Sequence, residues 1–465
     1  MNWKTEATTL LKKKLKLLNM ENPELKYIEA WRNLSETSKL PDWYTLQKKN
    51  AEQWLTSSGT PLRKNEKYKY ANIPALLEKY KANEISSIAE PINLFEIFNC
   101  DVPGLDTINI FIVNGKHYGT EKLTTTSNGV IYGSLREAIL NRGDLIKEYI
   151  GKLANENNES FLQINTLLYS DGLFIYVPEN VKLSKPIQLI NISHSSTNLT
   201  SNYRNLIIVQ DNSALEFIEC NHTLSEKAFL TNSVTEIIVG NNATYNHVKM
   251  HNENSESAHI SNGFLEIGKA TNSTYHAISL NGGYVRNNIT VNINGEYSKA
   301  LVHGLSVTKN KQYVDNYVLI NHNKANCESN QLFKSVIDHN SEVSFNGKIF
   351  VAREAQKTNA YQSNKNLVLN KEGKCNTRPQ LEIYADDVKC SHGATVGKLD
   401  QESLFYLRAR GIPFEEARLL LMYAFADDVI QSLHSDALKA RVKELTEARL
   451  RGDLSKCKCC SLHCN

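Results

Sequence analysis

The stretches NLIIVQDNSALEFIEC (205–220), SVTEIIVGNNATYNHVKM (233–250), GFLEIGKATNSTYHAIS (263–279) and ITVNINGEYSKALVHGLS (289–306) repeat one plan. A run of β-branched residues stops at a polar turn, and a second apolar run follows within a few residues, the pattern of strands separated by turns. Asp211, Gly240, Gly268, Gly295 and Asn323 each end an apolar run, at successive spacings of 29, 28, 27 and 28 residues. A near-fixed period with no helical pattern between the strands predicts the stacked coils of a parallel β-solenoid. A β-sandwich is the alternative. Asn-Gly pairs at 114, 128, 262, 281, 294 and 346 are hairpin signals and keep that alternative open.

Toward the N-terminus, INIFIVNG (108–115) and GLFIYVPEN (172–180) continue the strands, and residues 134–169 between them read as two helices expected to cap the first coil. The predicted protein is therefore mainly β, with a solenoid core over 101–397. A helical domain at 1–100 precedes the core; a second at 398–450 and a Cys-rich tail at 451–465 follow it. In the first domain Leu10, Leu11, Leu15, Leu17 and Leu18 make an apolar stripe at helical spacing. In the second, Leu419, Leu420, Leu421, Met422, Tyr423 and Phe425 leave a helix apolar almost all round, which needs a packing surface or a partner.

The chain has 465 residues, 22% of them charged, with a net charge of +3, an ordinary balance that does not indicate a nucleic-acid partner. No secretory signal and no run of about 18 apolar residues is evident, so no membrane span is expected. The nine cysteines, at 100, 220, 327, 375, 390, 457, 459, 460 and 464, are too unevenly spread for a disulfide framework. A reducing cytoplasm is the expected compartment.

Chemistry concentrates in RPQLEIYADDVKCSHGATVG (378–397). Cys390 and His392 stand i, i+2, which on a strand puts both side chains on one face. A thiolate beside an imidazole suits iron, zinc or copper better than hard cations. Gly393 and Gly397 allow a bend or a close backbone approach just beyond the pair. The structural alternative is a buried Cys acting as a small hydrophobe and a hydrogen-bonded His. Asp386-Asp387 would point to opposite faces of a strand and cannot easily share a substrate, which counts against a carbohydrate-cleaving solenoid. The chain shows no phosphate-binding G-x-x-x-x-G-K-[ST] loop and no G-x-S-x-G elbow; Gly304-Leu305-Ser306-Val307-Thr308 lacks the final Gly. In the tail, Cys457, Cys459, Cys460, His463 and Cys464 could hold a metal, although their spacing is not a standard zinc motif.

The segment LEIYADDVKCSHGATVG (381–397) resembles the signature of the SufB/SufD family of iron–sulfur cluster assembly scaffolds. Its Ser-His-Gly-Ala form is similar to the SufD branch; the SufB branch tends to carry an acidic residue where this chain has Gly393. Three further stretches are similar to the family: Glu66-Lys67-Tyr68-Lys69-Tyr70, with Tyr68 for the usual Trp; FLQINTLLYSDGLFIYVPENVKLSKPIQL (161–189); and Gln356-Lys357-Thr358 with Tyr361-Gln362. Tyr313 stands where the family usually has a His, so no chemistry is carried over there, and Cys327 and the Gln356–Gln362 run are expected to be structural.

The resemblance implies a right-handed parallel β-helix and a non-catalytic scaffold subunit that binds no cofactor tightly by itself. It implies partnership with a SufB-like subunit, a transient iron–sulfur cluster at their interface with His392 first and Cys390 second as its residues, and a SufC-like ATPase docked on the C-terminal helices. Phe405, Tyr406, Arg410, Leu420, Tyr423 and Phe425 are the candidates for that docking. A homodimer in isolation, a reduced flavin in the complex, and the alternative SufB-like role are left open.

Overall fold

The computed structural model describes residues 25–33, 40–58, 66–85, 104–119, 122–155 and 159–452. The repeats fold as a solenoid. Successive strands alternate between two sheets, of eleven and ten strands, so each solenoid strand pairs with the strands one coil before and after it. Ala258–Ile267, for example, lies parallel between Phe229–Val239 and Tyr284–Ile293, with Ala258 opposite both Leu230 and Tyr284. Stacking follows directly from the period: Ile207, Ile237, Leu265, Val291, Ile320 and Ile349 occupy one register position and form a buried aliphatic ladder along the interior. β-Branched side chains suit that ladder because their restricted rotamers pack well on a pleated surface.

The turns repeat as well. Asn212, Asn242, Ala270 and Tyr297 take positive φ at equivalent corners, a conformation Asn tolerates better than most residues. Asp211 accepts hydrogen bonds from Asn241 N at 2.6 Å and Asn241 Nδ2 at 2.9 Å, and Asn241 Oδ1 accepts from Lys269 N at 2.8 Å, so one coil's corner caps the next.

Only two of the six Asn-Gly pairs sit in hairpins. Asn114-Gly115 joins Ile108–Val113 to the antiparallel Lys116–Tyr118, and Asn128-Gly129 joins Leu123–Thr125 to the antiparallel Ile131–Ser134. Asn262 and Asn346 lie within long parallel strands, while Asn281 and Asn294 lie at coil corners. The sandwich alternative is thereby excluded, and these short antiparallel strands are what close the first end of both sheets.

The helices over 134–169 therefore do a different job from the one expected. They are four short helices, Leu135–Asn141, Gly143–Lys147, Lys152–Asn155 and Ser160–Leu168, and they cover the outer face of the first coils. Ile139, Ile146, Ile150 and Tyr169 pack on Phe174, Leu206 and Ile208. Buried Glu236 accepts the N–H groups of Gly151, Leu153 and Ala154 and pairs with buried Arg204. Gly172 is required beside them, because a Cβ there would lie 1.7 Å from Arg204 O.

Leu25–Asn33, Asp42–Ser58 and Ile73–Lys79 flank the solenoid, with Tyr27, Leu55 and Leu77 in one cluster with Leu230 and Ile260. The 66–70 element is a packing device. Tyr68 is buried beneath the Arg286 guanidinium at 4.3 Å, Arg286 donates to Lys67 O at 2.8 Å, and Arg286 forms a buried ion pair with Asp315. Gln401–Ala409, Phe414–Gln431 and Asp436–Arg451 follow the last strand. Met422, Ala426, Val429 and Ile430 bury one side of the middle helix against Ile278, Leu305, Val307 and Val336. No described helix is long and apolar enough to cross a membrane.

Candidate functional site

Among the described residues the far end of the solenoid is open. Lys374–Ile383 and Val388–Gly397 are the last strands of their sheets, and each has a parallel neighbour on one side only. Two ten-residue edges of backbone N–H and C=O groups are left for another chain to pair with. Residues 391–398 are exposed throughout, and Cβ atoms built on Gly393 or Gly397 would meet nothing within 4 Å. The strand runs regularly to Gly397, and the space over both glycines leaves room for the close backbone approach they allow.

Cys390 and His392 share the inward-facing side of this last strand, opposite Ala360 and Gln362 respectively. Cys390 is half-buried against a cluster containing Ala360, Leu381 and Val388, and burial pushes its thiol above the usual range. It is therefore a protonated thiol until something takes its proton. His392 is exposed, one coil beyond the buried pair in which Gln362 Nε2 donates to Gln331 Oε1 at 2.6 Å. Among the described residues, the two donors on this open strand offer an incoming ion or cluster half of a tetrahedral ligand set.

The other singled-out residues lie elsewhere. Asp386 and Asp387 occupy the bend before the strand rather than the strand itself, and the N–H of Asp387 donates to Gln356 Oε1 at 2.9 Å. That bond makes Gln356 a corner tie. Cys327 is buried, donating Sγ–H toward Gly295 O at 3.2 Å, and is structural. Tyr313 donates to Tyr70 O at 3.0 Å and stacks on Tyr284, tying the N-terminal element to the sheet. His322 is buried with Nε2 2.8 Å from Ser329 Oγ, and His303 lies under Ser432 of the C-terminal helices. His339 is exposed at the Asp338 turn. Among the described residues Cys327, Cys375 and Cys390 are free thiols. Cys457, Cys459, Cys460, His463 and Cys464 lie outside the described residues, as does the leucine stripe at 10–18.

Of the six candidates on the C-terminal helices, Phe405, Tyr406, Arg410 and Leu420 are exposed, Phe405 to 75%. Arg410 lies over the Tyr406 ring at 4.9 Å and donates to its hydroxyl at 2.8 Å. Phe405 and Tyr406 line an open groove of about 730 Å³ with Leu407, Ala409 and Leu421. Tyr423 and Phe425 instead turn partly toward the sheet, where Lys334 reaches the Phe425 ring at 4.7 Å and Phe425 O at 2.8 Å.

Residues 191–425 match the family described as SUF system FeS cluster assembly, SufBD core domain, and residues 21–189 match the SufBD protein N-terminal region. The chain is 30% identical over 431 residues to the iron–sulfur cluster assembly protein SufD of Escherichia coli (strain K12), covering 91% of this chain and 97% of that one. It is 27% identical to a SufBD family protein of Synechocystis (91% and 95% covered) and 28% identical to SufD of Bacillus subtilis (70% and 74% covered).

Proposed function

The chain belongs to the SufBD family of iron–sulfur cluster assembly proteins, and from that premise we propose that it is the SufD-type scaffold subunit of a SUF assembly complex. A SufB-type subunit pairs with the open edges at 374–383 and 388–397, and a nascent cluster is built where the two solenoids meet. A SufC-type ATPase docks on the C-terminal helices around Phe405, Tyr406, Arg410 and Leu420 and supplies the nucleotide hydrolysis, for which this chain has no phosphate-binding loop. The complex works in the cytoplasm.

The observation that carries this reading is the pairing of an uncapped edge with an incomplete donor set. Cys390 and His392 sit at the last strand, where a partner's residues can complete the coordination. A cluster bound in that way is shared by two chains, so separation of the subunits or a shift between them releases it. Iron binding at Cys390 must also displace the thiol proton that burial retains, which makes loading pH-dependent. Gly393 after the His favours the SufD-type over the SufB-type role.

The test is anaerobic reconstitution with iron and sulfide, on the chain alone and after co-purification with SufB-type and SufC-type partners. The three-subunit complex should acquire a cluster and the isolated chain should not. His392→Ala should form the same complex yet fail to assemble the cluster. Full assembly by that variant would refute the assignment, and a stable cluster on the isolated chain would favour the SufB-type role.

A further inference from the structure

His251, Glu253 and His259 form a second cluster of donors, inside the solenoid and remote from the open end. His251 lies near the end of Thr244–Asn252, Glu253 in the corner that follows, and His259 at the start of Ala258–Ile267. His251 shares its inward parity with Tyr245 and His247, and His259 shares its own with Leu265 and Ile267. All three residues are at most 2% exposed. Glu253 Oε2 lies 3.4 Å from His251 Nδ1 and 3.0 Å from His259 Nδ1, and one donor atom from each residue lies within 4.8 Å of the others.

We propose that His251, Glu253 and His259 form a buried binding site for one borderline divalent metal ion, zinc(II) or ferrous iron. The spacing is the first argument. Bonds of about 2.0–2.1 Å in a tetrahedron put neighbouring donor atoms about 3.3–3.4 Å apart, close to the two distances in the cluster. Two imidazoles and one carboxylate are also the donor set that such ions take, whereas calcium and magnesium prefer all-oxygen surroundings.

The second argument is an unpartnered group. Glu253 Oε1 is buried without a hydrogen-bond partner among the described residues, although a buried carboxylate oxygen left bare is costly. A bound ion accounts for it, as a second carboxylate contact or through a water in the fourth position.

The third argument is the outer layer. His251 Nε2 faces Asn287 Oδ1 at 3.2 Å, and Asn287 is oriented by its own Nδ2 donating to Asn316 Oδ1 at 2.9 Å. His259 Nε2 faces Ser233 Oγ at 3.0 Å. Asn287 Oδ1 is an acceptor opposite Nε2–H of His251, and the Ser233 hydroxyl is able to accept from Nε2–H of His259, a tautomer that leaves each Nδ1 lone pair for the metal; such outer partners accompany nearly every metal-bound histidine. Without an ion, a neutral His251 donating to Asn287 would turn that lone pair onto a carboxylate oxygen, acceptor against acceptor.

The corner is rigid as well. Asn254 Nδ2 donates to Ser225 O and Lys227 O, and Tyr80 Oη donates to Glu256 O at 2.6 Å, so the helix Ile73–Lys79 and its C-terminal residue clamp the loop that carries Glu253. An ion here would pin both sheets at one corner and exchange slowly, entering as the chain folds.

Expression of the full chain in minimal medium containing cobalt(II) tests the site while allowing it to fill during folding. One equivalent of cobalt should survive passage over a chelator, with the visible absorption of low-symmetry nitrogen and oxygen ligation. That signal should lack the thiolate charge-transfer bands that cobalt on the tail cysteines would give, and replacing those cysteines by Ser should leave it intact. Glu253→Gln and His259→Gln should each lose that equivalent; X-ray absorption of the wild-type chain gives the same answer if neither variant folds. Metal analysis after growth in ordinary medium then separates zinc from iron, either of which supports the site. A wild-type chain without stoichiometric nitrogen- and oxygen-bound cobalt overturns the proposal and leaves a hydrogen-bonded His–Glu–His cluster, as does cobalt that persists unchanged in both variants.

Discussion

Acid should loosen the C-terminal helices from the solenoid, through His276 and His303. Their rings meet edge-on at 5.3 Å and both contact Ser432 Oγ, His276 through Nε2 at 2.9 Å and His303 through Nδ1 at 2.8 Å. Ser432 gives its single proton to Val429 O at 2.7 Å, so the hydroxyl accepts from both rings. Each ring is then neutral, with one N–H on the serine. Burial lowers His276 to about 3 and His303 to about 4, with their mutual repulsion next in size for His276. The other titratable and charged groups acting here are positive or neutral: His434 and His247 act on His276, and Lys439 on His434, while Asn330 bonds His303.

The sign follows from these values. A released ring takes its proton near 6.5, whereas the docked rings resist protonation until about 3–4, so the docked state binds fewer protons below neutrality. Docking is at full strength above pH 6.5, weakens as the pH falls through that value, and levels off below the docked values. At pH 5 the difference is about 2 kcal/mol for each ring, or about 4 kcal/mol for the pair. Hydrogen exchange over 414–451, corrected for intrinsic rates, should therefore show protection about a thousandfold lower at pH 5 than at pH 7.5. The variant His276→Gln/His303→Gln should lose most of that dependence. Equal protection at both pH values, or the same loss in the double variant, would refute the argument.

Arg286→Met should destabilise the fold by about 3–5 kcal/mol in urea titration, because it leaves Asp315 buried and unpaired. Adding Asp315→Leu should recover most of that loss, with the remainder assigned to the Lys67 carbonyl and Tyr68 ring contacts. Phe405→Ala/Tyr406→Ala should change stability by less than about 0.5 kcal/mol, since both residues are exposed, yet weaken SufC-type ATPase binding at least about tenfold in calorimetry.

The solenoid was legible because it is one-dimensional. Each coil meets only its neighbours, so the period in the sequence passes directly into the register, as in the Ile207 to Ile349 ladder. The same locality hid the ends. Asn114-Gly115 and Asn262-Gly263 are identical dipeptides, yet one turns a hairpin and the other lies mid-strand, and only the surrounding coils decide which. Asp386-Asp387 was misplaced for a related reason: nothing in the dipeptide marks the corner that breaks the strand. That Cys390 and His392 share one face of a strand was legible from their spacing. The cluster at 251–259 was not read from HNENSESAH, because Glu253 joins His259 only after the chain turns a corner between two sheets.

Closure at one end and exposure at the other determine where a partner can act. At the first end, Lys116–Tyr118 and Leu123–Thr125 terminate both sheets with short antiparallel strands, which leave little edge to extend. At the last end the two strands keep their full length, and their side chains are partly buried or exposed rather than enclosed. The C-terminal helices could have covered that end but pack on the side of the sheet instead, against Ile278 and Leu305 several coils back. The hydrophobic material available for a cap is thus spent elsewhere, and the edges stay available for another chain. A second solenoid meeting this end would pair its own strands with these edges. His392 would then lie beside the junction itself, which is why its substitution should disturb what the junction holds before it disturbs the fold.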